Sequence, residues 1–219
     1  TLDWGLRLVL LIGIPSALGL FILGRPMITT LFMYRDFTAA DVDMAGLSLM
    51  AYAIGLPAFM LIKVLAPGFY SRKDPRTPVR IAIIALVTNM VLNLLFVVPM
   101  VRLGVSGPHA GLALATSIAA YVNAGLLFRA LYRDRFYRPR PGWRRFALQM
   151  LLAAALMVAV LVWGMPALAE WIAWDVANRV AYLLLWVAIG ALAYFVGLRL
   201  SGLRFSAFRH SGHTPGGEA

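Results

Sequence analysis

Two asparagines four residues apart, Asn89 and Asn93, interrupt a run of otherwise apolar sequence. At that spacing two side chains share one face of a helix. Thr88 is adjacent, and the next apolar run carries Thr116, Ser117 and Asn123. Carboxamide and hydroxyl oxygens on facing helices could coordinate a hard cation such as sodium, which favours oxygen ligands. The same groups serve as interhelical hydrogen bonds in lipid, and spacing alone leaves both uses open. Lys63 is the basic residue set well inside an apolar run. Such a charge is a candidate for an anionic substrate group, although it lies near enough to the end of its run for the amine to snorkel to the headgroups. Arg25 and Arg35 flank the outer end of the first run and suit either a phosphate or an interfacial position.

Chemistry of the enzymatic kind has no visible seat. No His–Glu metal pair, phosphate-binding glycine loop or nucleophile elbow occurs. His109 lies near a connection and His210 and His213 in a polar tail. The carboxylates fall outside or near the ends of the apolar runs, unpaired for acid–base work. There is no cysteine, hence no disulfide or thiolate metal site. The expectation is a protein that is not an enzyme, without a cofactor beyond an ion.

The elements that must position these residues follow from hydrophobicity. Apolar residues make up 62% of the 219 and charged ones 13%, with a mean hydropathy of +0.81; soluble domains are about 45–50% apolar and about 25% charged. Six stretches reach the length that crosses a bilayer as a helix. They run from about Trp4 to Leu23 (extended by Pro26–Tyr34), Met44 to Tyr70, Val79 to Met100, Ala110 to Leu131, Phe146 to Leu168 and Val180 to Leu200. Continuous apolarity excludes barrel strands, which alternate. The fold class is therefore an all-α membrane bundle of about six spans.

The net charge of +11 comes from arginines flanking spans, which reads as topogenic charge and not as a nucleic-acid surface. Arg72, Lys73, Arg76 and Arg80 follow the second span; Arg129, Arg133, Arg135, Arg138, Arg140, Arg144 and Arg145 follow the fourth; Arg199, Arg204 and Arg209 end the sixth. The alternate connections are poorer in base, with Asp36, Asp41, Asp43, Glu170 and Asp175. The positive-inside rule then places the Arg-dense connections and the C-terminus in the cytoplasm. Trp143, Trp163, Trp171 and Trp174 near span ends suggest an aromatic belt. Pro15, Pro57 and Pro67–Gly68 break helices from within, as in transporters that line a cavity with kinked backbone. Gly111, Ala115 and Ala119 form a small-residue stripe suited to close helix packing. The opening Thr1, with an apolar span starting at once, suggests a fragment of a longer protein.

The stretch Lys63-Val64-Leu65-Ala66-Pro67-Gly68-Phe69-Tyr70-Ser71-Arg72, followed by Asp74, Thr77-Pro78-Val79 and Ile81-Ala82-Ile83, resembles the most distinctive segment of the MviN/MurJ lipid II flippase family. Asp3-Trp4-Gly5-Leu6-Arg7-Leu8 and Pro141-Gly142-Trp143 are similar to that family too. The resemblance implies the multidrug/oligosaccharidyl-lipid/polysaccharide exporter fold of fourteen spans, with this chain as spans nine to fourteen. Residues 1–135 would be four spans of the second lobe, 136–205 two C-terminal helices forming a lipid-tail groove, and 206–219 a disordered cytoplasmic tail. It implies movement of lipid II from the inner to the outer leaflet of the bacterial inner membrane by alternating access. The partners would be lipid II, membrane lipids and the missing N-terminal half, with no nucleic acid.

Lys63 and Arg25 would touch substrate, and Pro15, Pro57, Pro67 and Gly68 would be hinges. A sodium site of some members would fall on Asn89, Asn93, the backbone carbonyl of Leu112, and Thr116. Asn93 stands where some relatives carry an acid, which weakens the attraction for sodium. The alternatives are a related polysaccharide-lipid or drug exporter, or a non-transporting scaffold subunit; the Lys63–Tyr70 stretch favours lipid II.

Overall fold

The computed structural model describes residues 2–104, 108–139 and 141–203. All regular elements among the described residues are helices: α1 (Leu2–Phe32), α2 (Ala39–Leu65), α3 (Pro67–Tyr70), α4 (Arg76–Arg102), α5 (Pro108–Arg133), α6 (Trp143–Gly164), α7 (Leu168–Ala173) and α8 (Val176–Leu200). Six of them (α1, α2 continued by α3, α4, α5, α6 and α8) are long and apolar enough to cross a membrane. All six expected spans are therefore present. Pro26, which divides the first apolar run in the sequence, lies inside α1, so the run and its extension form one helix. The short α7 between α6 and α8 was not expected.

The helices lie side by side in the order α4, α5, α2, α1, with α6 and α8 packed mainly on each other and joined to the rest through α1. Buried apolar residues form two clusters. One gathers Leu6, Ala58, Leu65, Phe69, Ala124, Leu127 and Leu131 from α1, α2, α3 and α5. The other gathers Leu11, Met150, Ala153, Met157, Leu161, Tyr194 and Leu198 from α1, α6 and α8. α1 contributes to both clusters, through Leu6 at its start and Leu11 one turn on.

Close approach depends on residues without bulk. Ala113 and Ala115 on α5 and Ala53 and Ala58 on α2 are fully buried. A β-carbon on Gly55 of α2 would lie 2.8 Å from Ser117 Cα of α5, and one on Gly197 of α8 would lie 2.7 Å from Ala153 Cα of α6. These neighbours are backbone and cannot swing away. The Gly111–Ala115–Ala119 stripe is buried as expected, with Gly111 set against Phe96 and Met100 of α4.

The breakers act locally. Ala66, between α2 and α3, keeps helical backbone angles, so the helix resumes at once with Pro67 as its first residue. Proline tolerates that position, where its missing N–H is not needed. Pro57 removes a hydrogen bond from the middle of α2, and in the turn before it two hydroxyls of α5 arrive. Ser117 Oγ donates to the Ala51 carbonyl at 2.7 Å and Tyr121 Oη to the Ile54 carbonyl at 2.8 Å.

Substituting Gly55 by Ala is expected to part α2 from α5 and cost about 1–3 kcal/mol, read as a lowered melting temperature in detergent. Gly125→Ala on α5, with nothing within 4 Å of the new carbon, should leave stability unchanged or slightly raised.

Candidate functional site

The residues singled out for cation binding come together. Asn93 and Asn89 occupy adjacent turns of α4, and Leu112 and Thr116 adjacent turns of α5. Asn93 Nδ2 donates to Asn89 Oδ1 at 2.8 Å, Asn89 Nδ2 donates to Thr116 Oγ1 at 3.1 Å, and Thr116 Oγ1 donates to the Leu112 carbonyl at 2.9 Å. The four residues form one directed chain across the α4–α5 interface. Its sense is fixed at one end, because a carbonyl can only accept. The oxygens of Asn89, Thr116 and Leu112 all accept within it; Asn93 Oδ1 is buried without a hydrogen-bond partner among the described residues. The neighbouring Ser117 points elsewhere, to α2. No group of three or more His, Asp or Glu suited to a metal occurs among the described residues. Each amide or hydroxyl proton along this path is answered by an oxygen of the same set.

The two residues nominated for substrate differ in their surroundings. Arg25 Nε lies 3.2 Å from Asp43 Oδ1, a half-exposed pair joining α1 to α2 near the acidic end of the bundle. Gly46 gives its side chain room, since a β-carbon there would lie 2.7 Å from Arg25 Cγ. Lys63 is exposed in the last turns of α2, with no hydrogen bond or ion pair among the described residues. Of the hinge candidates, Pro57 is buried against Gly13 of α1, and Gly68 faces Leu2 and Leu131. Between α2 and α4 the helices stand apart around an apolar cavity of about 480 Å³, lined by Leu47 and Ile54 of α2, Leu95 and Met100 of α4, Leu114 of α5 and Phe21 of α1.

Two polar joints escaped sequence reasoning. At the basic end, Asp3 is buried and accepts from Tyr137 Oη at 2.7 Å and Trp143 Nε1 at 2.8 Å, with Arg7 Nε 2.9 Å away. Arg7 in turn lies over the Trp143 ring and donates to the Pro141 carbonyl at 3.3 Å. Burial and the adjacent Asp3 carboxylate push the Tyr137 hydroxyl far above its ordinary value of 10.0. It stays protonated, and whatever stability this confers is present below pH 10.0 and lost as the pH rises beyond it.

At the acidic end, Arg179 is buried and donates to three carbonyls: Trp171 at 3.1 Å, Ile172 at 2.6 Å and Met33 at 3.3 Å. Trp171 is fully buried and donates to Thr30 Oγ1 at 3.0 Å. It is thus a packing residue that seats α7 on the end of α1, and not part of a lipid-facing belt.

Comparison with known proteins gives this arrangement a relative. A solved structure described as lipid II flippase MurJ in an inward closed conformation superposes with a TM-score of 0.72 at 26% identity, covering 91% of this chain and 38% of that one. The family model described as lipid II flippase MurJ matches residues 1–182. The chain belongs to the MurJ family. A probable lipid II flippase MurJ of Vibrio cholerae is 43% identical over 204 residues, 93% of this chain and 38% of the relative. A lipid II flippase MurJ of Burkholderia cenocepacia is 40% identical over 216 residues, 95% of this chain and 39% of the relative. The chain thus spans less than half the length of these relatives.

Membership in the MurJ family gives context to the joint at the basic end. The two shorter sequence stretches that resembled the family, Asp3–Leu8 and Pro141–Trp143, are far apart in the chain and meet there, Asp3 and Arg7 against Pro141 and Trp143. Family likeness at these positions coincides with a tertiary fastening.

Replacing Arg179 by Met, which keeps bulk and removes the donors, is expected to leave three carbonyls short of a partner and lower stability by about 2–4 kcal/mol. Trp171→Phe, which removes one hydrogen bond and part of a ring, should cost less. Thermal melts of the purified protein in detergent check both.

Proposed function

We propose that this chain forms part of a transporter that carries a lipid-linked peptidoglycan precursor, lipid II, from the inner to the outer leaflet of the bacterial inner membrane. The observation that carries the reading is membership of the MurJ family, with curated relatives matching 93–95% of the chain. The physical demand fits a helical bundle. A pyrophosphate–sugar head cannot cross about 30 Å of hydrocarbon unaided, so the protein must offer it a polar route while the lipid tail stays in the bilayer.

Within this chain Lys63 is the side chain suited to meet the pyrophosphate. Arg7, Arg25 and Arg179 are engaged with Asp3, Asp43 and backbone carbonyls, whereas the Lys63 amine is exposed without a partner among the described residues. Arg25 would join it only by releasing Asp43. Bending at Pro15, Pro57 and Pro67–Gly68 would change access from one side to the other, with α6 and α8 bordering the lipid tail. In this reading the Arg-dense connections after α3 and α5 face the cytoplasm, as does the C-terminus.

Lys63→Ala in the full-length protein should fail to support growth when the native transporter is depleted, with lipid-linked precursor held on the inner leaflet. Lys63→Arg should retain part of the activity. Normal growth and precursor distribution with Lys63→Ala would remove Lys63 from the transport path. A precursor distribution unaffected by depletion of the whole protein would contradict transport itself and favour a scaffold. Protease added to intact inside-out vesicles should cut at the Arg-dense connections; cutting only in spheroplasts would reverse the orientation.

A further inference from the structure

We propose that Asn93 provides an amide proton where an acid at this position would call for a cation, so that α4 and α5 are latched without an ion. The latch is the directed chain Asn93–Asn89–Thr116–Leu112, in which each donor is answered by one acceptor. Because the Leu112 carbonyl can only accept, Thr116 must donate to it. Thr116 Oγ1 therefore receives Asn89 Nδ2, and Asn89 Oδ1 is left to face Asn93. Whatever stands at position 93 must present a donor or a positive charge to that oxygen. The carboxamide does so with its N–H at 2.8 Å.

A cation held by the same oxygens would have to displace that N–H. Asn93 would lose its bond to Asn89 and turn a donor toward apolar surroundings, at the cost of an unsatisfied polar group. Within this set the ion would gain neutral ligands only, since no carboxylate joins it among the described residues. The four oxygens of the set, Asn93 Oδ1 alone among them without a hydrogen bond, fall short of the roughly six that hard cations gather.

The latch matters because α5 is the long helix that α4 packs against most. Most of its surface is exposed, with Ile83, Val87, Met90, Leu94 and Val98 all turned outward. Its side-chain hydrogen bond to α5 therefore helps set where α4 sits, and that position would not respond to sodium.

An aspartate at position 93 reverses the logic. Its carboxylate would set an acceptor against Asn89 Oδ1 at the same distance, a repulsion that a bound cation relieves. The test measures melting temperatures of the full-length protein and its Asn93→Asp variant in detergent at pH 8, in sodium chloride and in choline chloride of equal ionic strength. Unmodified protein should melt at the same temperature in both salts. Asn93→Asp should melt lower in choline and recover in sodium by several degrees. Asn93→Ala should melt lower in both, and covers the case in which the aspartate variant does not fold. A sodium-specific rise of several degrees in the unmodified protein would overturn the proposal, as would an Asn93→Ala variant as stable as its parent.

Discussion

Hydrocarbon offers a buried polar group no partner, and this constraint accounts for where the polar side chains of this bundle stand. Each unmet donor or acceptor at membrane depth costs free energy that water would otherwise have offset. Several polar residues inside the helices are accordingly joined to one another or to backbone. Ser117 and Tyr121 reach α2 carbonyls just before Pro57, Tyr194 reaches the Leu11 carbonyl of α1 at 2.8 Å, and Gln149 reaches the Ser201 carbonyl at 2.8 Å. Individually such bonds are worth about 0.6 kcal/mol in lipid, rarely more than about 2. Their number and direction set which helices touch and in what register.

The same constraint shapes packing. Lipid tails are as apolar as leucine, so helices gain little by hiding leucine from them and gain more from close fit. That explains the glycines and alanines where α2 meets α5 and α6 meets α8. It also explains the uneven build of the molecule. α1 is long, shared by both apolar clusters and fixed at both ends, by Asp3 at one and by Thr30 and the Met33 carbonyl at the other. α4, by contrast, packs mainly on α5 and borders an apolar cavity together with α2.

Much of this was legible in the residues. The six spans follow from hydropathy, and the small-residue stripe of α5 from its spacing. The meeting of Asn89, Asn93, Leu112 and Thr116 was implied by the family resemblance, and the coordinates bring them together as one hydrogen-bonded chain. Arg179 and Trp171 were not legible, because their partners are carbonyls and a threonine far along the chain, and a residue at a span end looks the same whether it faces lipid or protein. In the sequence Asp3 stands out only as part of the opening Asp3–Leu8 motif. Its two ring partners lie beyond residue 136, and nothing in local spacing connects them. The bond from Tyr121 to the Ile54 carbonyl had no sequence signal either, because every residue carries a backbone carbonyl.

The central claim is that buried polar joints fasten the elements of this bundle, the one at Asp3 tying α1 to the connection before α6 and to the first residue of α6. A double-mutant cycle between Asp3→Ala and Tyr137→Phe, followed by thermal or denaturant unfolding in detergent, measures it most directly. A coupling of about 1–3 kcal/mol between the two positions is the expected result. Strict additivity would mean that carboxylate and phenol do not act as one joint, and would contradict the account.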